Sequence, residues 1–251
     1  MDLMANITPR EDPVALVEHW MRYYRAEGVT RFHFFLNRYS DDGAFWPAFE
    51  KMLAAPDVKV VLTFEGVEDM RSRVELFRDY SGSELARAPF VMVADTDEFV
   101  RSPAWAASRL VERGWDFVPG IFVDRFHIDG VTAAVDADRP LPEQFPRCTS
   151  FTYEALGGSF TKVPIARPGI DYRNGFHGVR NDDALKKPDW YLPVNHFKWT
   201  AGLIQRIRDR IARKYGGDKY LLECEDFLER WVAGEDRIEL ARVNSWITLG
   251  W

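Results

Sequence analysis

The sequence predicts an α/β fold with a mainly parallel central sheet and helices on both of its faces. Two observations support this prediction. The first hundred residues alternate strand-like apolar segments with amphipathic helical ones, as βαβ units do. The segment 90–94 is apolar at almost every position, as a strand covered on both faces needs to be. With 251 residues, 46% of them hydrophobic, the chain can bury a full core.

The predicted elements of the first half follow in chain order. Strands are expected at residues 3–8, 31–36, 58–64 and 90–94. The first helix begins at Asp12-Pro13 and ends at Gly28, because proline favours a helix start and glycine a helix end. Its apolar face, and those of the next two helices, follow the helical period: Val17, Trp20, Met21 and Tyr24, then Phe45, Phe49, Met52 and Leu53, then Met70, Val74 and Phe77.

The second half is predicted to be less regular. A helix begins at Ser102-Pro103 and ends near Gly114, and a strand covers residues 116–123. From 124 to about 195, prolines and Gly157-Gly158 break the chain into short strands and loops. Two helices close it, one with Leu203, Ile204, Ile207 and Ile211 before Gly216-Gly217, and one with Leu221, Leu222, Phe227, Leu228 and Trp231. No segment has linker composition, so a single domain over residues 1–251 is expected.

Composition excludes several classes of protein. The net charge of −6 argues against a protein that coats nucleic acid through a basic surface. Cys148 and Cys224 lack zinc-ligand spacing, which argues against a thiolate zinc site or a disulfide framework and fits a reducing compartment. The sequence shows neither a signal peptide nor an apolar run of the ~18 residues that a membrane span needs. We therefore expect a cytoplasmic protein with no integral membrane segment.

The segment from Val91 to Phe99 carries the chemistry. There an apolar strand ends in Asp95, Asp97 and Glu98, and ligands of open α/β sheets bind beyond the carboxyl ends of strands. Residues i and i+2 project to the same side, so the two aspartates can converge on one ligand. Paired carboxylates without thiols suit Mg²⁺ or Mn²⁺. One alternative interpretation is a polar strand end with a helix-capping aspartate. Separately, Glu98 could be structural and accept backbone N–H groups in the turn.

The run VADTDEFV resembles the DxDEF-type motif of family 2-like glycosyltransferases, a group related to family 92 (the DUF23 type). Three further segments are similar to that family in the expected order. The opening from Glu11 to Gly43 contains a Glu-x-Trp step, the segment Lys162 to Val179 a lysine strand and a Gly-x-His step, and Val194 to Trp199 an Asn-His-Phe element.

The resemblance implies a GT-A fold and a metal-dependent transfer of sugar from a nucleotide-sugar donor to the hydroxyl of a glycan or small-molecule acceptor. A UDP-sugar is the favoured donor and Mn²⁺ or Mg²⁺ the cofactor. Asp97 would bind the ion, Asp95 the ribose or the ion through water, and His196 would complete the site, with His177 as second choice. Each histidine has the alternative of a hydrogen-bonded core residue. Residues 1–100 would bind the nucleotide sugar, 101–199 would form the acceptor and catalytic half, and 200–251 the closing helices.

Further residues are assigned from their places in this fold. The turn after the first strand offers Thr8, Arg10 and Glu11 to the nucleotide, the second strand ends at Asn37, and Lys198 can reach the diphosphate. An inverting transfer, which the resemblance favours, needs a carboxylate as base. The candidates are Asp124 first, then Glu154 and Asp171.

Two other functions fit the same sequence. A haloacid-dehalogenase-like phosphatase would use Asp95 as nucleophile and Asp182-Asp183 to hold Mg²⁺. However, that motif normally opens its domain, whereas three strand–helix units precede it here. The non-enzymatic alternative is a module that binds a sugar nucleotide without turning it over.

Overall fold

The computed structural model describes residues 1–38, 43, 46–65, 70–213, 218–234, 237–240, 243 and 246–247. These residues form two compact units. Unit 1 comprises residues 1–121 and 161–194, and unit 2 comprises residues 122–160 and 195–251. The single continuous domain expected from the sequence stays a prediction.

The described residues form the following strands and helices. The strands are β1 (Asp2–Ile7), β2 (Arg31–Arg38), β3 (Val58–Glu65), β4 (Val91–Val93), β5 (Glu98–Val100), β6 (Phe117–Phe126), β7 (Arg147–Thr149), β8 (Thr161–Ala166), β9 (Leu192–His196) and β10 (Trp246–Ile247). The helices are α1 (Val14–Ala26), α2 (Trp46–Leu53), α3 (Met70–Ser83), α4 (Pro103–Arg113), α5 (Leu141–Gln144), α6 (Phe151–Glu154), α7 (Leu203–Ala212) and α8 (Asp218–Trp231).

The sheet of unit 1 confirms the predicted α/β class. Strand β1 pairs in parallel with both β2 and β4, and β2 pairs in parallel with β3, which gives the order β3-β2-β1-β4. Beyond β4 the pairing turns antiparallel, first to β8 and then to the first residues of β6. This is the Rossmann-like, GT-A-type arrangement, in which the carboxyl ends of the parallel strands share one edge.

Both faces of the unit 1 sheet are covered, as predicted for a buried parallel sheet. On one face, α1 buries Leu16, Val17, Trp20, Met21 and Tyr24, which confirms the predicted apolar face. The ring of Trp20 packs there on Phe32 and Phe34 of β2. On the other face, Phe35 stacks on Phe77 of α3 with ring centroids 4.3 Å apart.

Unit 2 has its own small sheet and core. Residues 124–126 of β6 pair antiparallel with β7, and β7 pairs antiparallel with β10. The core packs the aromatic rings of Phe126, Phe151 and Trp199 against α7 and α8. Cys148 and Cys224 are both buried and are not joined by a disulfide. Within the described ranges, no helix is long and apolar enough to cross a bilayer.

Some element boundaries differ from those predicted. Strand β6 continues to Phe126, so Asp124 lies inside this strand rather than after it. The reason is that Asp124 and Arg125 are paired there with side chains of unit 2 and can stay buried in a strand. Strand β4 is only three residues long. Phe45 and Gly216-Gly217 lie outside the described residues.

Candidate functional site

The first aspartate of the DxD motif is fixed by two cations. Asp95 follows β4, and its Oδ1 accepts a hydrogen bond of 2.8 Å from Arg73 of α3. Its Oδ2 accepts one of 2.9 Å from Nζ of Lys162 in β8. The side chain of Asp95 is 32% exposed, whereas those of Arg73 and Lys162 are 8% and 1% exposed. A partly accessible carboxylate is therefore held in place by two buried positive charges.

The last carboxylate of the motif has a structural role. Oε1 of Glu98 lies 2.7 Å from Nζ of Lys162, and Oε2 accepts the backbone N–H of Asp95 at 3.0 Å. This confirms the interpretation that Glu98 accepts a backbone group of its own turn. Lys162 thus joins both ends of the motif to β8.

Burial and charge act in opposite directions on these groups. Burial alone would raise the pKa of Asp95, but the charges of Arg73 and Lys162 outweigh it and hold that pKa well below its usual range. Burial would lower the pKa of Lys162, and the neighbouring Asp95 and Glu98 raise it instead. For Glu98, burial has the largest effect on the pKa. Together with the charges of Asp95 and Asp97 it raises the pKa of Glu98 to about 7, although Lys162 acts to lower it.

Neither Arg73 nor Lys162 was predicted as a site residue, although a local sequence signal marks each of them. Lys162 stands in an otherwise apolar strand segment, TKVPIA, where a lysine needs an anionic partner. Arg73 follows Met70 by three residues and precedes Phe77 by four, so it shares the apolar face of α3. A charge at such a position predicts a buried ion pair.

A second acidic group lies beside the motif. Asp12 accepts hydrogen bonds from the backbone N–H of Thr8 on Oδ2, at 2.7 Å, and from the hydroxyl of Thr96 on Oδ1. It therefore connects the loop after β1 with the DxD turn. Burial raises the pKa of Asp12 to about 7, and the charge of nearby Asp97 contributes to the rise. The Thr8 amide is bonded to Asp12 in this structure, and its predicted contact with the nucleotide stays a prediction.

His177 lies near the same cluster. Its Nδ1 donates to the carbonyl oxygen of Thr161 at 2.7 Å, which leaves the lone pair on Nε2. Burial, and then the charge of Lys162, lower its pKa to about 4, so the ring is neutral at pH 7. Gly175 has φ +69°, and a Cβ there would lie 2.7 Å from Nε2. The glycine therefore makes room for the imidazole.

Two buried asparagines lie at the same edge of the sheet. Asn6 is near the end of β1, and Asn37 is near the end of β2. Asn37 is 0% exposed. Among the described residues, neither of its side-chain polar atoms, nor Oδ1 of Asn6, has a hydrogen-bond partner. Buried amides of this kind usually bond to water or a ligand, which is consistent with the prediction that Asn37 contacts the nucleotide.

In unit 2, Asp124 is fully buried and accepts four hydrogen bonds. Its Oδ1 accepts from Nδ1 of His196 at 2.8 Å, Nε1 of Trp199 at 3.0 Å and the hydroxyl of Thr152 at 2.7 Å. Its Oδ2 accepts the backbone N–H of Thr152 at 2.6 Å. Burial alone would raise the pKa of Asp124, but these bonds, with that from His196 first, hold it below its usual value. With these four donors bound, the Asp124 carboxylate is a weak base and has little tendency to take up a proton.

The remaining predicted residues are placed as follows. Glu154 is exposed and accepts the Ser150 hydroxyl at 2.6 Å. Asp171 lies 3.5 Å from a nitrogen of Arg78 and 3.7 Å from one of Arg180. Lys198 lies over the ring of its neighbour Trp199 in unit 2. Arg10 and Glu11 lie half-buried in the turn after β1. The roles predicted for them stay predictions.

The residues predicted to hold a metal ion do not fit that role as a set. An ion on Asp95 would lie within about 4 Å of the Arg73 and Lys162 charges, where repulsion is about 4 kcal/mol for each pair of unit charges and twice that for a divalent ion. The imidazoles of His177 and His196 bring no negative charge that would offset these two cations. Across the described part of the chain, no three His, Cys, Asp or Glu side chains converge as a metal site.

Comparison with known proteins gives only distant likenesses. No family model matches the sequence, and no curated protein matches it significantly. HddC from Yersinia pseudotuberculosis is 11% identical, with a TM-score of 0.36 over 90% of this chain and 99% of that one. TarS 1–349 from S. aureus in complex with UDP-GlcNAc is 12% identical, with a TM-score of 0.40, and the match covers 91% of this chain and 72% of that one. Because these values are low, the fold assignment rests on strand order.

Proposed function

We propose that this chain is a glycosyltransferase that takes its sugar from a nucleotide-sugar donor bound at the carboxyl edge of β1, β2 and β4. The observation that carries the proposal is the fixed but accessible carboxylate of Asp95 at the end of a buried strand. Two buried cations hold this one side chain at the surface. Burying two such cations is costly, so we interpret the arrangement as a binding feature.

Asp95 suits recognition of hydroxyl groups. Each carboxylate oxygen has two lone pairs, and the bonds from Arg73 and Lys162 use one on each oxygen. The remaining lone pairs can accept hydrogen bonds from the ribose or from the sugar. Because the pKa of Asp95 is held low, the group stays an acceptor across the physiological pH range.

The base of the nucleotide would lie toward the ends of β1 and β2. The amides of Asn6 and Asn37 offer both donors and acceptors there, and a pyrimidine edge needs both. We propose a UDP-sugar as donor, in keeping with the sequence resemblance. The sequence resemblance favours an inverting transfer, and this stays a prediction. The catalytic base also stays a prediction, since Asp124 is a weak base in its present contacts.

A binding measurement tests the proposal. Titration calorimetry with UDP, GDP and dTDP should show that one nucleotide binds. Asp95→Asn should weaken that binding about tenfold or more, since losing a hydrogen bond to a charged group costs about 1.5–3 kcal/mol. The matched control is Asp79→Asn, an exposed aspartate on α3 that is 68% accessible, which should bind as the wild type does. Release of the nucleotide from the matching sugar donor then tests for turnover.

The same experiment separates the two alternative functions. A module that only binds would retain nucleotide affinity and release no nucleotide from the sugar donor. A phosphatase would hydrolyse p-nitrophenyl phosphate with Mg²⁺ and lose that activity in Asp95→Asn. Asp182, which the phosphatase assignment needs for Mg²⁺, is ion-paired with Lys187 in a short turn. Failure of all three nucleotides to bind would overturn the proposal.

A further inference from the structure

We propose that the acidic turn of unit 1 binds its nucleotide without a divalent metal ion, because Arg73 and Lys162 already supply the positive charge that an ion would bring to Asp95. The inference rests on the proposed function and concerns how that same site balances charge. It departs from the expectation of bound Mn²⁺ or Mg²⁺ that the DxD motif suggests.

The contacts of Asp95 are the first support. Arg73 bonds to Oδ1 at 2.8 Å and Lys162 to Oδ2 at 2.9 Å, so both oxygens already face a cation. Both cations are almost completely buried and cannot turn into water without breaking their ion pairs. An incoming metal ion would have to displace one of them, or bind beside two like charges.

The other predicted metal ligands do not offset the repulsion that Arg73 and Lys162 would exert on an ion. His177 and His196 are imidazoles, and an imidazole ligand brings no negative charge that would offset Arg73 and Lys162. Asp97 lies near Asp12, both of whose oxygens accept hydrogen bonds from Thr8 and Thr96.

Charge balance gives the reason why an ion is unnecessary. In a DxD site the ion offsets the carboxylates, so that an anionic diphosphate can approach them. Here Asp95 and Glu98 are offset by Arg73 and Lys162 within the protein, at distances of 2.7 to 2.9 Å. A diphosphate therefore approaches carboxylates whose charge Arg73 and Lys162 already offset within the protein.

The direct test is calorimetry of the wild-type protein with the nucleotide that it binds, once in EDTA and once in Mn²⁺. We expect dissociation constants that agree within about threefold. Binding that is about tenfold or more weaker in EDTA would overturn the inference while leaving the proposed function intact. If no nucleotide binds under either condition, the proposed function fails, and this inference falls with it.

A variant makes the test sharper by creating a metal requirement. Arg73→Met frees Oδ1 of Asp95, so nucleotide binding should weaken about tenfold or more in EDTA and recover in Mn²⁺. Arg71→Met is the matched control, because Arg71 is an exposed residue of the same helix, paired with Glu75. It should bind equally in both conditions. Recovery by Mn²⁺ is a readout that loss of packing alone would not produce.

Lys162→Met provides an independent check on the second cation. Thermal unfolding and circular dichroism establish whether each variant is folded before binding is measured. In a folded Arg73→Met or Lys162→Met protein, equal binding with and without Mn²⁺ at wild-type strength would show that the replaced cation does not supply the charge, and would overturn the inference. The double variant Arg73→Met/Lys162→Met should show the largest ratio between binding in Mn²⁺ and in EDTA.

Discussion

Nδ1 of His196 donates a hydrogen bond of 2.8 Å to Oδ1 of Asp124, and the two side chains come from β9 and β6. The neighbouring residues repeat the pairing, since Nε of Arg125 donates to Oδ1 of Asn195 at 2.8 Å. The imidazole also stacks on Phe122, with ring centroids 4.8 Å apart. Two consecutive residues of each strand are therefore joined by buried polar contacts. This bond to Asp124 fixes the proton of His196 on Nδ1 and its lone pair on Nε2.

Asp124→Asn should destabilise the fold by about 1.5–3 kcal/mol, because it weakens hydrogen bonds to a buried carboxylate and sets an amide N–H₂ against groups that are all donors. Because the pKa of Asp124 is lowered in the folded protein, its carboxylate stabilises the fold at pH values above the unfolded pKa of 3.8. This stabilisation disappears as the pH falls through the native pKa. Urea unfolding at neutral and acid pH measures both effects.

The control for this prediction is Asp129→Asn, whose side chain is 65% exposed and whose loss should change stability by less than about 0.5 kcal/mol. An Asp124→Asn protein as stable as the wild type at neutral pH would contradict the prediction.

Asp12 should make the protein less stable as the pH rises from about 4 to about 7. Its native pKa is raised to about 7 from 3.8, so the native state holds a proton that the unfolded chain has released. Stability from this group is thus complete below pH 3.8 and is lost as the pH rises through 7. The slope is at most about 1.4 kcal/mol per pH unit.

Comparison of wild type with Asp12→Asn in urea at several pH values checks this slope. The difference between the two proteins should change with pH over that range, whereas Asp79→Asn should run parallel to the wild type. Parallel curves for Asp12→Asn would show that the native pKa is not raised.

Lys162 and Glu98 should be strongly coupled in a double-mutant cycle. Lys162→Met leaves two carboxylates with less compensation and should cost about 3–5 kcal/mol. Adding Glu98→Gln removes one of those charges, so the double variant should be more stable than the sum of the single losses predicts by about 0.5–3 kcal/mol. Urea unfolding of the four proteins gives the coupling free energy. Simple additivity would mean that the 2.7 Å ion pair contributes nothing.

Gly120→Ala should destabilise unit 1 by about 1–3 kcal/mol through overpacking. A Cβ at this position in β6 would lie 2.7 Å from Cγ2 of Val194 and 3.3 Å from the backbone oxygen of Leu192. Gly178→Ala is the control, because its nearest neighbour is the flexible side chain of Arg173 at 3.4 Å. Equal thermal unfolding temperatures for the two variants would contradict the close approach at Gly120.

Local patterns were sufficient to predict the elements of the parallel half. The apolar face of α1, with Val17, Trp20, Met21 and Tyr24, follows directly from the helical period, and burial confirms it. The role of Glu98 was also among the sequence interpretations. The length of β6 was not predicted, because the residues after Val123 are Asp and Arg, which the sequence alone marks as a strand end. Their partners, His196 and Asn195, come from a strand some seventy positions later.

The sequence by itself determined the α/β class, the sheet of alternating strands and helices, and the place of Asp95 at the end of a buried strand. These are consequences of hydrophobic periodicity, which acts over a few residues. Only the tertiary structure decided which charges surround that aspartate. Arg73 is 22 positions before it and Lys162 is 67 after it. Ion pairing depends on distance in space, so only folding could show that two cations occupy both oxygens of Asp95.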